Sequence, residues 1–370
     1  MTMQNFMAQS RGVLLKDLQQ WRRDRQAAFG PLLMPLVLML MVTLLFGAGG
    51  DEWNIALIVE DESAAAEEFA HTIETLESNI TPYYRIITRD AEQAQELVQA
   101  GRLQMAITIP AGFSERLAAG TTPVIETQVF NINSDMMKNV RLRLEAAIQE
   151  FQAERGVAPV TVEQVTTRSE DVWRRAFIAA GAVIVALMVG AALNTALMVA
   201  REWERSTVKE LRLAPGALPA IVAGKLLAGL VAAGVNVAVA LLVAVFLFGL
   251  RIPPDRWLPL LGIGLGVAVT AAGLGLGIGA LFRDYRTVQP LLLVTAAGSF
   301  FASGGYASIA TLPPLVRTLN QFWPPAYVFE AMQLTMHSAT LPDLRGMLLA
   351  LPLAAGLTVA GGGFLLRRAL

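Results

Sequence analysis

The sequence contains no cysteine and only two histidines, His71 and His337. Disulfides, thiolate metal sites and cysteine nucleophiles are therefore excluded, and a histidine-based metal cluster is disfavoured. Charge is scarce as well: Asp, Glu, Lys and Arg make up 16% of the 370 residues, against about 25% in soluble domains. A net charge of −1 offers no basic field for nucleic acid. A Gly-x-x-x-x-Gly-Lys-[Ser/Thr] phosphate loop is also missing. Gly224-Lys225-Leu226 lacks both the upstream glycine at the right offset and the hydroxyl, so the chain encodes no such nucleotide cradle.

What the chain has instead is apolar length. Hydrophobic residues make up 54% of it, and mean hydropathy is +0.51. A membrane-crossing helix needs about 20 mostly apolar residues. Six segments qualify: 30–49, 177–200, 221–250, 257–282, 287–303 and 346–366. The fold class expected is an α-helical polytopic membrane protein of about six spans with an inserted extracytoplasmic α/β domain. The first segment lies too far behind a polar leader to be a signal peptide, whose apolar core is only about 7–15 residues long. Arg11, Lys16, Arg22, Arg23 and Arg25 before the first span, Arg201, Arg205, Lys209 and Arg212 after the second, Arg283 and Arg286 after the fourth, and Arg367 and Arg368 at the end fall in alternate segments. The positive-inside rule places these segments, and both termini, in the cytoplasm. In the leader, 1–29, Leu14, Leu18 and Trp21 recur on one helical face beside basic residues, the pattern of a helix on the inner membrane surface. The alternative is a leader packed against another subunit.

Between the first two spans, 51–175 reads as a separate extracytoplasmic domain. Strand-like runs at 53–59, 83–88, 103–109 and 124–131 alternate with helix-like runs at 61–79, 91–100, 112–119 and 134–154, the last with Ser134 as its N-cap. Such alternation predicts a largely parallel α/β sheet. No catalytic constellation is found here. Glu60, Asp61 and Glu62 lack the spacing of a calcium loop and read as a solvated strand end. His71 reads as a surface residue. Trp173 suits the lipid–water interface.

The most informative stretch follows the second span: Arg201-Glu202-Trp203-Glu204-Arg205-Ser206-Thr207-Val208-Lys209-Glu210-Leu211-Arg212-Leu213-Ala214-Pro215, with Gly224-Lys225 at the mouth of the next span. It is short, carries both signs of charge and reads as a helix, 201–215, that needs a groove for its apolar stripe. The run Arg201-Glu202-x-Glu204-x-x-Thr207-x-x-x-Leu211-x-x-x-Pro215, with Gly224-Lys225, resembles the signature of ABC-2 type (type V) ABC exporter permeases. Val59-Glu60-Asp61, Ile109-Pro110-Ala111-Gly112-Phe113-Ser114 and Leu117-Ala118-Ala119-Gly120 resemble the large extracytoplasmic domain of one branch of that family. Two positions depart from its pattern, which has glycine at Ser206 and often an acid at Lys209.

The resemblance implies a transport subunit of the inner membrane, not an enzyme, moving a hydrophobic or amphipathic, drug-like or lipid-like substrate outward. ATP and magnesium would bind a separate ABC ATPase, and this chain would hold no cofactor or metal. Residues 201–215 would be the coupling helix, with Arg201, Glu202, Glu204, Arg205, Thr207, Glu210 and Leu211 docking on that ATPase. A second permease chain, identical or related, would complete the transporter in contact with membrane lipid, and a periplasmic adaptor would meet the external domain. The family also places short re-entrant helices where 304–345 stands.

Glycines between Gly262 and Gly279 in the fourth span fit close helix packing. Asn194 and Asn236 are polar positions within spans, suited to interhelical bonding or a substrate path. Phe322, Trp323 and Tyr327 lie beside Pro313-Pro314 and Pro324-Pro325; if the stretch is re-entrant, as the resemblance implies, they would form an exit gate, and the alternative is an ordinary outer loop with an interfacial helix over 326–337. A different class of function is a membrane-anchored extracytoplasmic sensor or binding protein. A sensor needs an output domain, and every segment assigned to the cytoplasm is short. An intramembrane enzyme lacks an acid, base or metal set.

Overall fold

A computed structural model of the chain describes residues 3–45, 53–77, 82–129, 134–155, 161–166, 172, 174–213, 218–307, 309, 312–338 and 340–370. The leader is helix α1 (Met3–Arg23), bent against α2 (Arg25–Leu45). After the α/β unit come α7 (Arg174–Glu204), α8 (Val208–Leu213), α9 (Leu218–Phe246), α10 (Trp257–Phe282), α11 (Tyr285–Ala302), α12 (Pro314–Asn320), α13 (Pro324–His337) and α14 (Arg345–Ala369). Among the described residues, four helices are long and apolar enough to cross a membrane, namely α7, α9, α10 and α14. A fifth joins them if the bent α1–α2 pair is one span. The expected span at 287–303 is helical as α11, but its 18 residues reach only about 27 Å, short of a hydrocarbon core of about 30 Å.

The unit between α2 and α7 holds β1 (Trp53–Val59), α3 (Ala64–Thr75), β2 (Tyr84–Thr88), α4 (Ala91–Gln99), β3 (Met105–Ile109), α5 (Phe113–Ala118), β4 (Val124–Val129), α6 (Ser134–Arg155) and β5 (Thr161–Thr166). The sheet order is β2-β1-β3-β4-β5. Every pairing is parallel except β3 with β4. β1 alternates its side chains between two cores, as a strand covered on both faces must. Ile55 and Leu57 face a cluster with Phe69, Phe113 and Phe151 from α3, α5 and α6. Ala56 packs with Ala94, Val98 and Ala106, and that cluster continues into Ala176 and Phe177 at the start of α7. The second face of the sheet therefore stands directly on the helix bundle.

Asp61 departs from the solvated strand end expected of it. It is buried, accepting from Ser63 N and Ser114 N at 2.9 Å each and from the Ser114 hydroxyl at 3.2 Å. These bonds hold its carboxyl down at about 2. It thereby ties the end of β1 to the first turn of α5, whose N-terminal amides lack intrahelical partners. His71 is on the surface. Trp173 and the Ser134 side chain lie outside the described residues.

α10 is wedged between α7 and α14 by glycines on opposite faces. A Cβ on Gly275 or Gly279 would meet Ala192 O at 2.1 Å or Ala196 O at 2.4 Å, both on α7. One on Gly273 would meet Thr358 and Val359 of α14 at 2.6–2.7 Å. Gly275 and Gly279, four apart, let the backbones of α10 and α7 touch, and Gly273 does the same toward α14. α13 returns into the bundle, burying Phe329, Met332 and Met336 in the cluster that holds Ile184 and Phe300.

Candidate coupling site at one end of the bundle

The expected single helix 201–215 is two pieces. α7 runs on through Glu204 and stops where Ser206 takes φ 57°, in the left-handed region. A residue with a Cβ is strained there and glycine is not. After the turn, α8 starts at Val208. Pro215 lies outside the described residues.

Lys225 of α9 is fully buried. Its three ammonium protons are matched by Asp17 Oδ2 at 3.1 Å, Glu202 Oε1 at 2.8 Å and the Met198 carbonyl at 3.0 Å. Glu202 also accepts from Lys16, and its second oxygen accepts from the Thr207 hydroxyl. Four elements thus meet on one carboxylate: α1, α7, α9 and the turn before α8. The glycine before the lysine has its own reason. A Cβ on Gly224 would lie 2.6 Å from Val13 Cβ and 2.7 Å from Ser10 O, so Gly224 lets α1 approach while Lys225 pins it.

Glu202 and Thr207, expected to face a partner, therefore point into the chain. Leu211 also packs inward, on the cluster of Val199, Ile221 and Leu366. Arg201 pairs with Asp24 at 2.7 Å, and Arg205 reaches the same carboxylate at 3.3 Å. Glu204 accepts from Tyr285 N at 2.7 Å. Glu204, Arg205, Lys209 and Glu210 are exposed. Sequence reasoning missed Lys16, Asp17 and Asp24. The available signal was Lys225 itself, because a lysine at the edge of an apolar span calls for a counter-ion.

The leader's stripe is spent on the chain's own bundle. Leu14, Leu18 and Trp21 pack on Met198, Ala228 and Ala232, which corrects both the membrane-surface and the other-subunit readings for these three side chains. Trp21 Nε1 donates to Asn194 Oδ1 at 3.0 Å, and Asn194 Nδ2 donates to Gly190 O at 2.7 Å. Asn194 is thus an anchor for the leader and is not open to a path. Asn236 is buried, and its Nδ2 has no partner among the described residues. The leader, the α7–α8 turn, the end of α10 and the chain's last turn share one end of the bundle through Val13, Trp203, Leu211, Ala280 and Ala369. These are the segments that the charge pattern places together.

The gate residues lie elsewhere, beside the α/β unit, and are not all joined. Phe322 is exposed. Trp323 donates to the Ser299 hydroxyl at 3.1 Å, and Tyr327 donates to Gln321 O at 2.7 Å. Of the three, Tyr327 lines a cavity of about 530 Å³ between α4, α7, α12 and α13. A close approach of Gly181 to Gly305, where a Cβ on Gly181 would meet Gly305 O at 2.2 Å, seats the segment before α12 against α7.

Residues 29–360 match the profile of the ABC-2 family transporter protein. The probable multidrug ABC transporter permease YbhS of Escherichia coli K12, and its counterpart in Escherichia coli O157:H7, are each 25% identical over 346 residues, covering 90% of this chain and 89% of theirs. A domain of a putative ABC type-2 transporter from Thermotoga maritima MSB8 is similar at 18% identity and TM-score 0.25, over 30% of this chain and 84% of that one. The chain belongs to the ABC-2 family of transporter proteins.

Proposed function

We propose that this chain is the permease subunit of an ATP-driven exporter that moves a hydrophobic or amphipathic substrate, drug-like or lipid-like, out of the cytoplasm or the inner leaflet. The observation that carries this reading is the α7–α8 turn. Its exposed charges stand on a buried ion network that reaches α1 and α9 in one step. ATP and magnesium belong to a separate ABC ATPase, which docks on Glu204, Arg205, Lys209 and Glu210. Closure of that ATPase pushes the turn, and Glu202 passes the displacement to the spans. A second permease chain, the same or related, completes the path.

The leader and the α7–α8 turn face the cytoplasm and the α/β unit lies outside, in reach of a periplasmic adaptor. α12 and α13 form the re-entrant segment before the last span. The multidrug permease name of the Escherichia coli relatives supports the drug-like substrate class. The test is ATP-driven dye transport in inverted membrane vesicles. Reversing Lys209 and Glu210, whose side chains make no interaction among those described, should lower it at least tenfold. Transport at the unmodified rate would refute docking at this turn.

A further inference from the structure

The cavity beside the α/β unit is lined by several polar groups, two of which, on Gln333 and Arg317, carry a buried atom with no partner among the described residues. Its volume, about 530 Å³, lies within the range of small-molecule sites. Tyr327, Glu330 and Gln333 of α13 line it at three-residue spacing, on one helical face. Gln333 is 6% exposed. Its Nε2 donates to Phe177 O at 3.2 Å. A carbonyl can only accept, so this bond fixes which way the amide points, and Oε1 is left without a donor among the described residues.

Arg317 of α12 lines the same cavity and has an enclosed Nε with no acceptor among the described residues. Arg102, from the turn after α4, completes the lining. Phe177, Phe329 and Leu334 give part of the remaining wall an apolar surface, beside the polar Thr318, Asn320 and Gln321. Acceptors from Glu330 and Gln333, guanidinium donors from Arg317 and from Arg102, whose charge also acts on Glu330, and apolar side chains in one cavity are the complement of a molecule with both charges and a greasy body.

We propose that this cavity binds an amphipathic zwitterion, its N–H-bearing ammonium against Glu330 and Gln333 Oε1 and its acidic group against Arg317 and Arg102. The proposal rests on the exporter reading only for the meaning of the site, as a place on the outward route. Binding is tested without nucleotide, so its failure leaves that reading standing.

The experiment is native mass spectrometry of the full chain in a non-ionic detergent, at equal concentrations of four probes. Lysophosphatidylethanolamine and N-dodecylglycine are zwitterions with N–H donors, one a lipid and one not. Lysophosphatidylcholine has no N–H donor, and lysophosphatidylglycerol has no ammonium. At least one of the first two should show tenfold higher occupancy than the last two, and which one does so tells whether the ligand is lipid. Glu330→Gln and Arg317→Met should each remove that preference. Gln333→Leu, which keeps the buried volume, should remove it with an unchanged melting temperature and carries the test if a charge variant does not fold. Equal occupancy of all four probes, or an unchanged preference in these variants, would overturn the proposal.

Discussion

Asp61 shows how much a single carboxylate can organise. Its depressed pKa, about 2 against 3.8, means that its bonds to Ser63 and Ser114 stabilise the fold fully above about pH 4. That contribution fades as pH falls through 2. Asp61→Ala should cost about 1–2 kcal/mol and raise hydrogen exchange in residues 113–118. Wild type should show the same rise between pH 4 and pH 2, and the variant no further one. Ser206 makes the opposite prediction. Its φ of 57° should make Ser206→Gly stabilising by about 0.5–1 kcal/mol, read as a higher melting temperature, while Ser206→Val should lower it. Asp61 was misread from sequence because a charged triplet at a strand end looks solvated. Its partner, Ser114, lies 53 residues on, beyond any local pattern. Yet two of the words that carried the family resemblance, 59–61 and 109–114, are the two sides of this contact.

At the scale of elements, the network around Lys225 and the glycines of α10 decide how the helices meet. Lys225→Met alone leaves Asp17 and Glu202 buried with only the half-buried Lys16 as a shared cation, which should cost roughly 3–5 kcal/mol. The triple replacement Asp17→Leu, Glu202→Gln, Lys225→Met removes the three buried charges together, leaving the half-buried Lys16 to reach solvent, and should recover most of that loss in thermal unfolding. If coupling runs through this network, the triple variant should stay folded yet transport poorly. Gly275→Ala should be destabilising by more than about 1–3 kcal/mol, because its Cβ would meet a backbone carbonyl. Gly264→Ala, with only Leu187 Cδ2 at 3.7 Å, should be near neutral. Helices and strands were largely legible, because apolar periodicity follows burial and the sheet unit is buried on both faces. β5 was not: Thr161–Thr166 is a polar edge strand, paired with β4 alone. The break between α7 and α8 was also hidden, since serine does not announce a left-handed turn.

For the whole molecule, the layout of leader, helix, α/β insertion and helix bundle was readable from hydropathy and charge. What faces a partner was not. Burial turns Glu202, Thr207 and Leu211 inward and leaves Glu204, Arg205, Lys209 and Glu210 outside. Sequence spacing ranks all seven positions of the expected docking set alike, because it records period and not which side the bundle occupies. On the function proposed, the exposed α7–α8 turn is where an ATPase drives this permease. The most direct measurement is to isolate the tagged full chain from its native host in mild detergent, unmodified and with Lys209→Glu and Glu210→Lys. The account predicts a soluble ABC ATPase in stoichiometric amount with the unmodified chain, lost from the double variant while its melting temperature holds. Recovery of the chain without any ATPase, under conditions that preserve other membrane complexes, would contradict it.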